Sequence, residues 1–169
     1  MSLNACIQKE KEVKAILGLI AQVHINGSPA PFVASEKFRE GEIVDGVKVL
    51  KVGPNFRKWL LHKTEWGTRP GAFRIWKPSE DAFTDWILEE LGLAREIMLG
   101  QLWRLIVEQG KAPGGLLYGK TNVGFICDEE RVLRPVRSYW HPMEKGVEIE
   151  AFPPSPFFKW TSNRQIISR

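Results

Sequence analysis

Cysteine, tyrosine and histidine are scarce in this chain, and no long apolar run occurs. Of 169 residues, two are Cys, two Tyr and three His. Two cysteines, Cys6 and Cys127, cannot build the disulfide framework of a small secreted domain. Without an export signal they read as free thiols. His24, His62 and His141 are far apart, and neither cysteine has a partner at ligand spacing, so neither a metal nor any other cofactor is expected. No apolar stretch approaches the ~20 residues of a spanning helix. The N-terminal candidate, Ala15–Val23, follows the charged run from Lys9 to Lys14, and no small-residue cleavage site comes after it. It reads as part of an amphipathic helix and not as a secretory signal, which favours a cytoplasmic protein with no membrane partner.

What is present suits an ordinary folded domain. Apolar residues make up 43% and charged residues 26% of the chain, values that argue against disorder. The length suits one domain whose core buries roughly 70% of the surface exposed on unfolding. The net charge of +4 is unevenly placed. Residues 1–130 balance at 17 Lys/Arg and 17 Asp/Glu. Residues 131–169 carry Arg131, Arg134, Arg137, Lys145, Lys159, Arg164 and Arg169 against Glu144, Glu148 and Glu150. A basic end of this kind suggests an anionic partner.

Periodicity predicts an α+β fold: one domain over 1–169, with small antiparallel β-sheets packed by an N-terminal helix and a central helix pair. Val13, Ile16, Leu17, Leu19 and Ile20 lie near helical spacing and predict a helix over 7–22. Asp45-Gly46 between Val44 and Val47 is a hairpin signal. Beyond it Val47, Val49 and Lys51 should face one way and Lys48, Leu50 and Val52 the other. Residues 57–63 read as a further strand. Ser79 predicts the N-cap of a helix whose apolar face is Ala82, Phe83, Trp86, Ile87 and Leu91, ending at Gly92. A second helix, Ala94–Gln109, should bury Ile97, Met98, Leu102, Leu105 and Ile106. Three strands should follow, the middle one at an edge because of Pro135. From about 152 a proline-rich extended tail is expected.

Two motifs suggest nucleotide chemistry. Residues 114–121, "GGLLYGKT", satisfy the spacing of a phosphate-binding loop. Such a loop follows a buried strand and has a small-residue interior, whereas this one follows a helix and contains Leu116, Leu117 and Tyr118. No nucleotide is expected there. From Gly71, the chain is similar to the Nudix box at Ile87, Glu89, Glu90, Gly92 and Leu93. Lys77, Asp85 and Trp86 stand where that box has Glu, Arg and Glu; half of the acids and the arginine are lost, and with them most of the motif's reason to hold a metal. Residues 38–52, "FREGEIVDGVKVLKV", resemble small β-barrel modules of bacterial secretion and pilus-assembly proteins, which implies a barrel-like sheet.

The sequence therefore points to a non-enzymatic binding module for an anionic partner, nucleic acid first. Arg134, Arg137, Lys159 and Arg164 are the expected phosphate contacts, with Tyr139, Trp140 and Trp160 stacking on bases. An alternative is a protein-interaction accessory, an immunity or assembly factor, with Trp140, Phe157, Phe158 and Trp160 as anchors. A third reading is a hydrolase with a degenerate metal site, whose acids converge only in three dimensions; whether His141, Glu148 or Glu150 joins other groups there is left open by the sequence.

Overall fold

The computed structural model describes residues 15–111 and 113–169. In chain order the elements are β1 (Leu17–Ile25), β2 (Phe32–Val33), α1 (Ala34–Lys37), β3 (Ile43–Val44), β4 (Val47–Val52), α2 (Pro54–Trp59) and β5 (Thr64–Glu65). There follow β6 (Gly71–Pro78), β7 (Ala82–Phe83), α3 (Thr84–Leu91), α4 (Leu99–Gln109) and β8 (Thr121–Cys127). The chain closes with β9 (Leu133–His141), β10 (Gly146–Ala151), β11 (Lys159–Trp160) and β12 (Gln165–Ser168). Eight strands form one mixed sheet in the order β1-β6-β12-β8-β9-β10-β4-β3. The β12–β8 and β10–β4 pairs are parallel and the rest antiparallel. The sheet is large and open, neither small nor barrel-like. Two short ladders, β2–β5 and β7–β11, stand outside it.

Where the sequence suggested an N-terminal helix, residues 17–25 form edge strand β1; the earlier part of that stretch, 7–14, lies outside the described residues. The register of β1 on β6 slips at Ile20. That bulge lets Leu17 join the core on one face of the sheet while Val23 and Ile25 join the core on the other. In β4 a similar slip at Leu50 buries Val47, Val49 and Val52 together and leaves Lys48 and Lys51 outside, breaking the expected strict alternation. The Asp45-Gly46 turn is as expected, with positive φ at both residues (50° and 75°) joining β3 to β4.

Residues 57–63 are not a strand. Pro54 at the first turn of α2 fixes φ for a helix, and the Glu150 carboxylate accepts the Phe56 N–H there at 3.2 Å. Helix α3 starts at Thr84 and not at Ser79, because Ala82 and Phe83 first pair with Trp160 and Lys159. Gly92, at φ 55°, ends it as read. Trp86 points outward at 47% exposure, with the Phe83 ring edge-on at 4.8 Å. The two helices do not form a packed pair. Helix α4 lies against one sheet face with Val23, Phe73, Ile75, Val136, Trp140 and Val147, and α3 covers the other with Leu17, Val123, Phe125 and Ile166. The N-terminus of α4 rests on buried Glu65, which accepts Leu99 N–H at 2.9 Å and Gly100 N–H at 2.8 Å.

Two proline expectations also change. Strand β9 lies between β8 and β10, so Pro135 is interior. Its carbonyl accepts the Phe152 N–H at 2.9 Å, just where β10 ends and the chain leaves toward Pro153-Pro154. The missing donor therefore falls at a sheet margin. The supposed tail is a structural part of the fold, since β12 is inserted between β6 and β8.

Candidate functional site

Alternation along β9 divides the sequence-predicted contacts between two sheet faces. Arg134, Val136, Ser138 and Trp140 turn toward α4; Arg137, Tyr139 and His141 turn away. Arg134 is consumed by the structure. Its Nε lies 2.8 Å from Asp128 Oδ2, and its guanidinium lies 4.1 Å from the Trp59 ring centroid. Trp140 is core. Trp160 is also core, its indole N–H donating to Thr84 Oγ1 at 2.9 Å. These three residues have no surface with which to meet a ligand. Lys159 is exposed on β11.

Arg137, Tyr139 and Arg164 come together. Arg137 is cross-strand from Val123 and Tyr139 from Thr121. Gln165 pairs with Asn122, which brings the preceding residue, Arg164, alongside Thr121 on the same face. Arg137 lies over the Phe152 ring, 5.6 Å from its centroid. Burial, and after it the Arg137 charge, lowers the Arg164 pKa from its ordinary value. Among the described residues neither arginine has a carboxylate within ion-pair distance. Glu150, cross-strand from Arg137, is held instead by the Phe56 and Ala151 N–H groups.

Other candidates resolve into structural roles. His141 Nε2 lies 3.3 Å from Glu148 Oε1, and Nδ1 3.9 Å from Glu144 Oε1, so each ring nitrogen faces a different carboxylate. Among the described residues, no three His, Cys, Asp or Glu side chains are grouped to hold a metal. Burial, with Glu96 beside it, pushes the Cys127 thiol up and away from the thiolate; Cys6 lies outside the described residues. Glu90, the best-placed acid of the Nudix-like stretch, accepts the Ile16 and Leu17 N–H groups at 2.8 and 2.9 Å. In the 114–121 loop, the N–H groups of Leu116, Leu117, Tyr118 and Lys120 are spent on Gln109, Gly115 and Leu117. Half of the donors that a phosphate cradle would use are thus bonded within the fold.

Sequence reasoning missed Trp66, which is 90% exposed on a loop lined with cavities. The available signal was its position: it sits next to Gly67 and Pro70, at the end of a two-residue strand too short to bury a ring. No helix among the described residues is long and apolar enough to cross a membrane. No protein-family model, curated protein or solved structure matches this chain.

Proposed function

We propose that the protein is a non-enzymatic binding module for an anionic partner, nucleic acid first, and that Arg137 and Arg164 hold its phosphates. The observation that carries this reading is a pair of neighbouring guanidiniums with no carboxylate partner among the described residues. An anion between them relieves their mutual repulsion and satisfies their donors. Tyr139 lies beside them at half burial, and exposed Lys159 adds charge without a fixed geometry. The protein-interaction alternative keeps only Phe157, 81% exposed, as a fully available anchor among its four aromatics.

The test is a salt titration of binding to single- and double-stranded oligonucleotides. An Arg137→Ala, Arg164→Ala variant should remain folded, bind more weakly and show a log K against log salt slope shallower by about one or two units. If the wild-type protein binds neither oligonucleotide at low salt, or the variant binds unchanged, this reading is wrong.

A further inference from the structure

Three cavities follow one another around the loops that join β1 to β2 and β5 to β6. The first, about 210 Å³, and the second, about 490 Å³, both touch Ser28 and Thr68. The second and the third, about 560 Å³, both touch Trp66 and Arg69. Ser28 and Thr68 exchange backbone hydrogen bonds at 2.8 Å each way, so the floor between the first two cavities is a fixed bridge. Shared lining residues link the three in turn into one interrupted groove, and Trp66 lines its second and third parts.

The backbone holds that ring out. Glu65, immediately before it, is anchored by the first N–H groups of α4. Gly67, immediately after it, has φ +83°, and a Cβ there would approach Ser28 O to 2.9 Å. A tryptophan fixed between two constrained residues and left almost fully exposed is displayed, not merely unburied.

Charge along the groove has one excess sign. Arg104 lines the first cavity, Arg69 the second and third, and Lys63 and Arg169 the third. Of the acids, Asp45 is taken by Lys37 and the Trp103 indole, and Glu65 by α4 and Lys63. Among the described residues Arg69, Arg104 and Arg169 have no side-chain carboxylate at ion-pair distance, although the Arg104 charge acts on Asp45; Glu96 is the third acidic side chain of the lining.

We propose that this groove binds single-stranded nucleic acid, with Trp66 stacking on a base and Arg69, Arg104 and Arg169 contacting phosphates on either side of it. A cationic track with an exposed aromatic platform is the arrangement such ligands use. A duplex keeps its bases stacked on each other and cannot offer one to the indole. An acidic peptide satisfies the arginines and leaves the indole unused. The inference rests on the anionic reading above, but uses none of its residues: Trp66, Arg69 and Arg104 are remote in sequence from Arg137 and Arg164, and Arg169 lies past the other end of β12 from Arg164, so the two can fail separately.

The experiment measures anisotropy of a labelled oligothymidylate, and of the same oligomer with abasic positions, at low salt. The proteins compared are the wild type, Trp66→Ala, Trp66→Phe, Arg69→Ala with Arg169→Ala, and Arg137→Ala with Arg164→Ala. Trp66→Ala should weaken binding about tenfold with an unchanged salt slope, and Trp66→Phe should keep most of the affinity. Abasic substitution should cost the wild type that same factor and cost Trp66→Ala little more. The Arg69/Arg169 variant should show a shallower slope. Trp66→Ala within twofold of wild type, equal affinity for the abasic oligomer, or displacement of the oligomer by polyglutamate at equal charge concentration would each overturn the groove. If only the Arg137/Arg164 variant then loses affinity, the groove falls and the earlier reading stands.

Discussion

Replacing Arg134 should damage the fold before it touches any ligand. The Asp128 and Arg134 side chains are 3% and 10% exposed and meet at 2.8 Å. Asp128 Oδ1 also accepts the Val132 N–H at 2.9 Å, closing the turn between β8 and β9. In Arg134→Ala the carboxylate is stranded, and removing one partner of a buried pair costs about 3–5 kcal/mol. The surviving Val132 bond moves this case toward the lower end, while loss of the guanidinium from the Trp59 ring adds about 0.5–1 kcal/mol. The expected total is about 3–4 kcal/mol. Urea unfolding followed by circular dichroism should show it as a lower midpoint at constant m. Asp128→Leu with Arg134→Met removes both charges and should recover about half of the loss. The pair also sets an acid limb. Burial alone would raise the Asp128 carboxyl, but the Val132 N–H and the Arg134 guanidinium outweigh it and hold the pKa below its ordinary value. Its contribution is therefore complete above the unfolded value of about 3.9 and is lost as pH falls through the lower folded value. The double variant should lack that limb. A cost below about 0.5 kcal/mol for Arg134→Ala would show that the pair is neither buried nor coupled as described.

Three further outcomes follow from burial and hydrogen bonding. Leu102→Ala should cost about 2–5 kcal/mol, whereas Trp86→Ala, on the outer side of α3, should cost less than about 1 kcal/mol by the same urea assay. Trp160→Ala removes a core ring and the donor to Thr84; it should cost about 3–5 kcal/mol and lower the melting temperature, instead of selectively weakening a complex. Millimolar ATP or GTP with magnesium should give no thermal stabilisation through residues 114–121, because four N–H groups of that loop are already bonded. A saturable shift abolished by Lys120→Ala would refute that.

Much of the second half of the fold was legible, because β8, β9 and β10 keep their period and the turns between them are clear. Gly92 and the Val44–Val47 hairpin were legible for the same reason: each needs a backbone conformation that few residues adopt. Strand β1 was not. Its bulge at Ile20 feeds apolar residues to both faces in turn, and a strand that changes phase imitates helical spacing. The short helix α2 carried its signal in Pro54, but its apolar residues Phe56 and Trp59, with Leu60 just after it, sit among cations as they would on an alternating strand. Pro135 misled because a proline avoids the middle of a ladder, not the middle of a sheet, and its position faces the end of β10.

The candidate sites follow the same logic. The excess of Lys and Arg near the C-terminus was visible as composition, but composition does not say which guanidinium is free. On β9 the answer depends on parity: Arg134 and Trp140 share the face that α4 covers, and Arg137 and Tyr139 share the other. Parity could have been read from the strand once its inward side was known. The partner of Arg134 could not, because Asp128 lies across a turn whose geometry depends on Arg131 at φ 61°. Trp66 is the opposite case. The aromatic-plus-cation pattern picks rings adjacent to cations in sequence, and Trp66 has Glu65 and Gly67 as neighbours. Its cations arrive through space, from a loop, from α4 and from Arg169. Where ring and cation are adjacent on a strand they point to alternate sides, as with exposed Lys159 and buried Trp160. A ring and a cation share a surface either two residues apart on one strand, as Arg137 and Tyr139 do on β9, or by coming from different elements, as around Trp66. The first arrangement can be read from local pattern; the second depends on the chain's path.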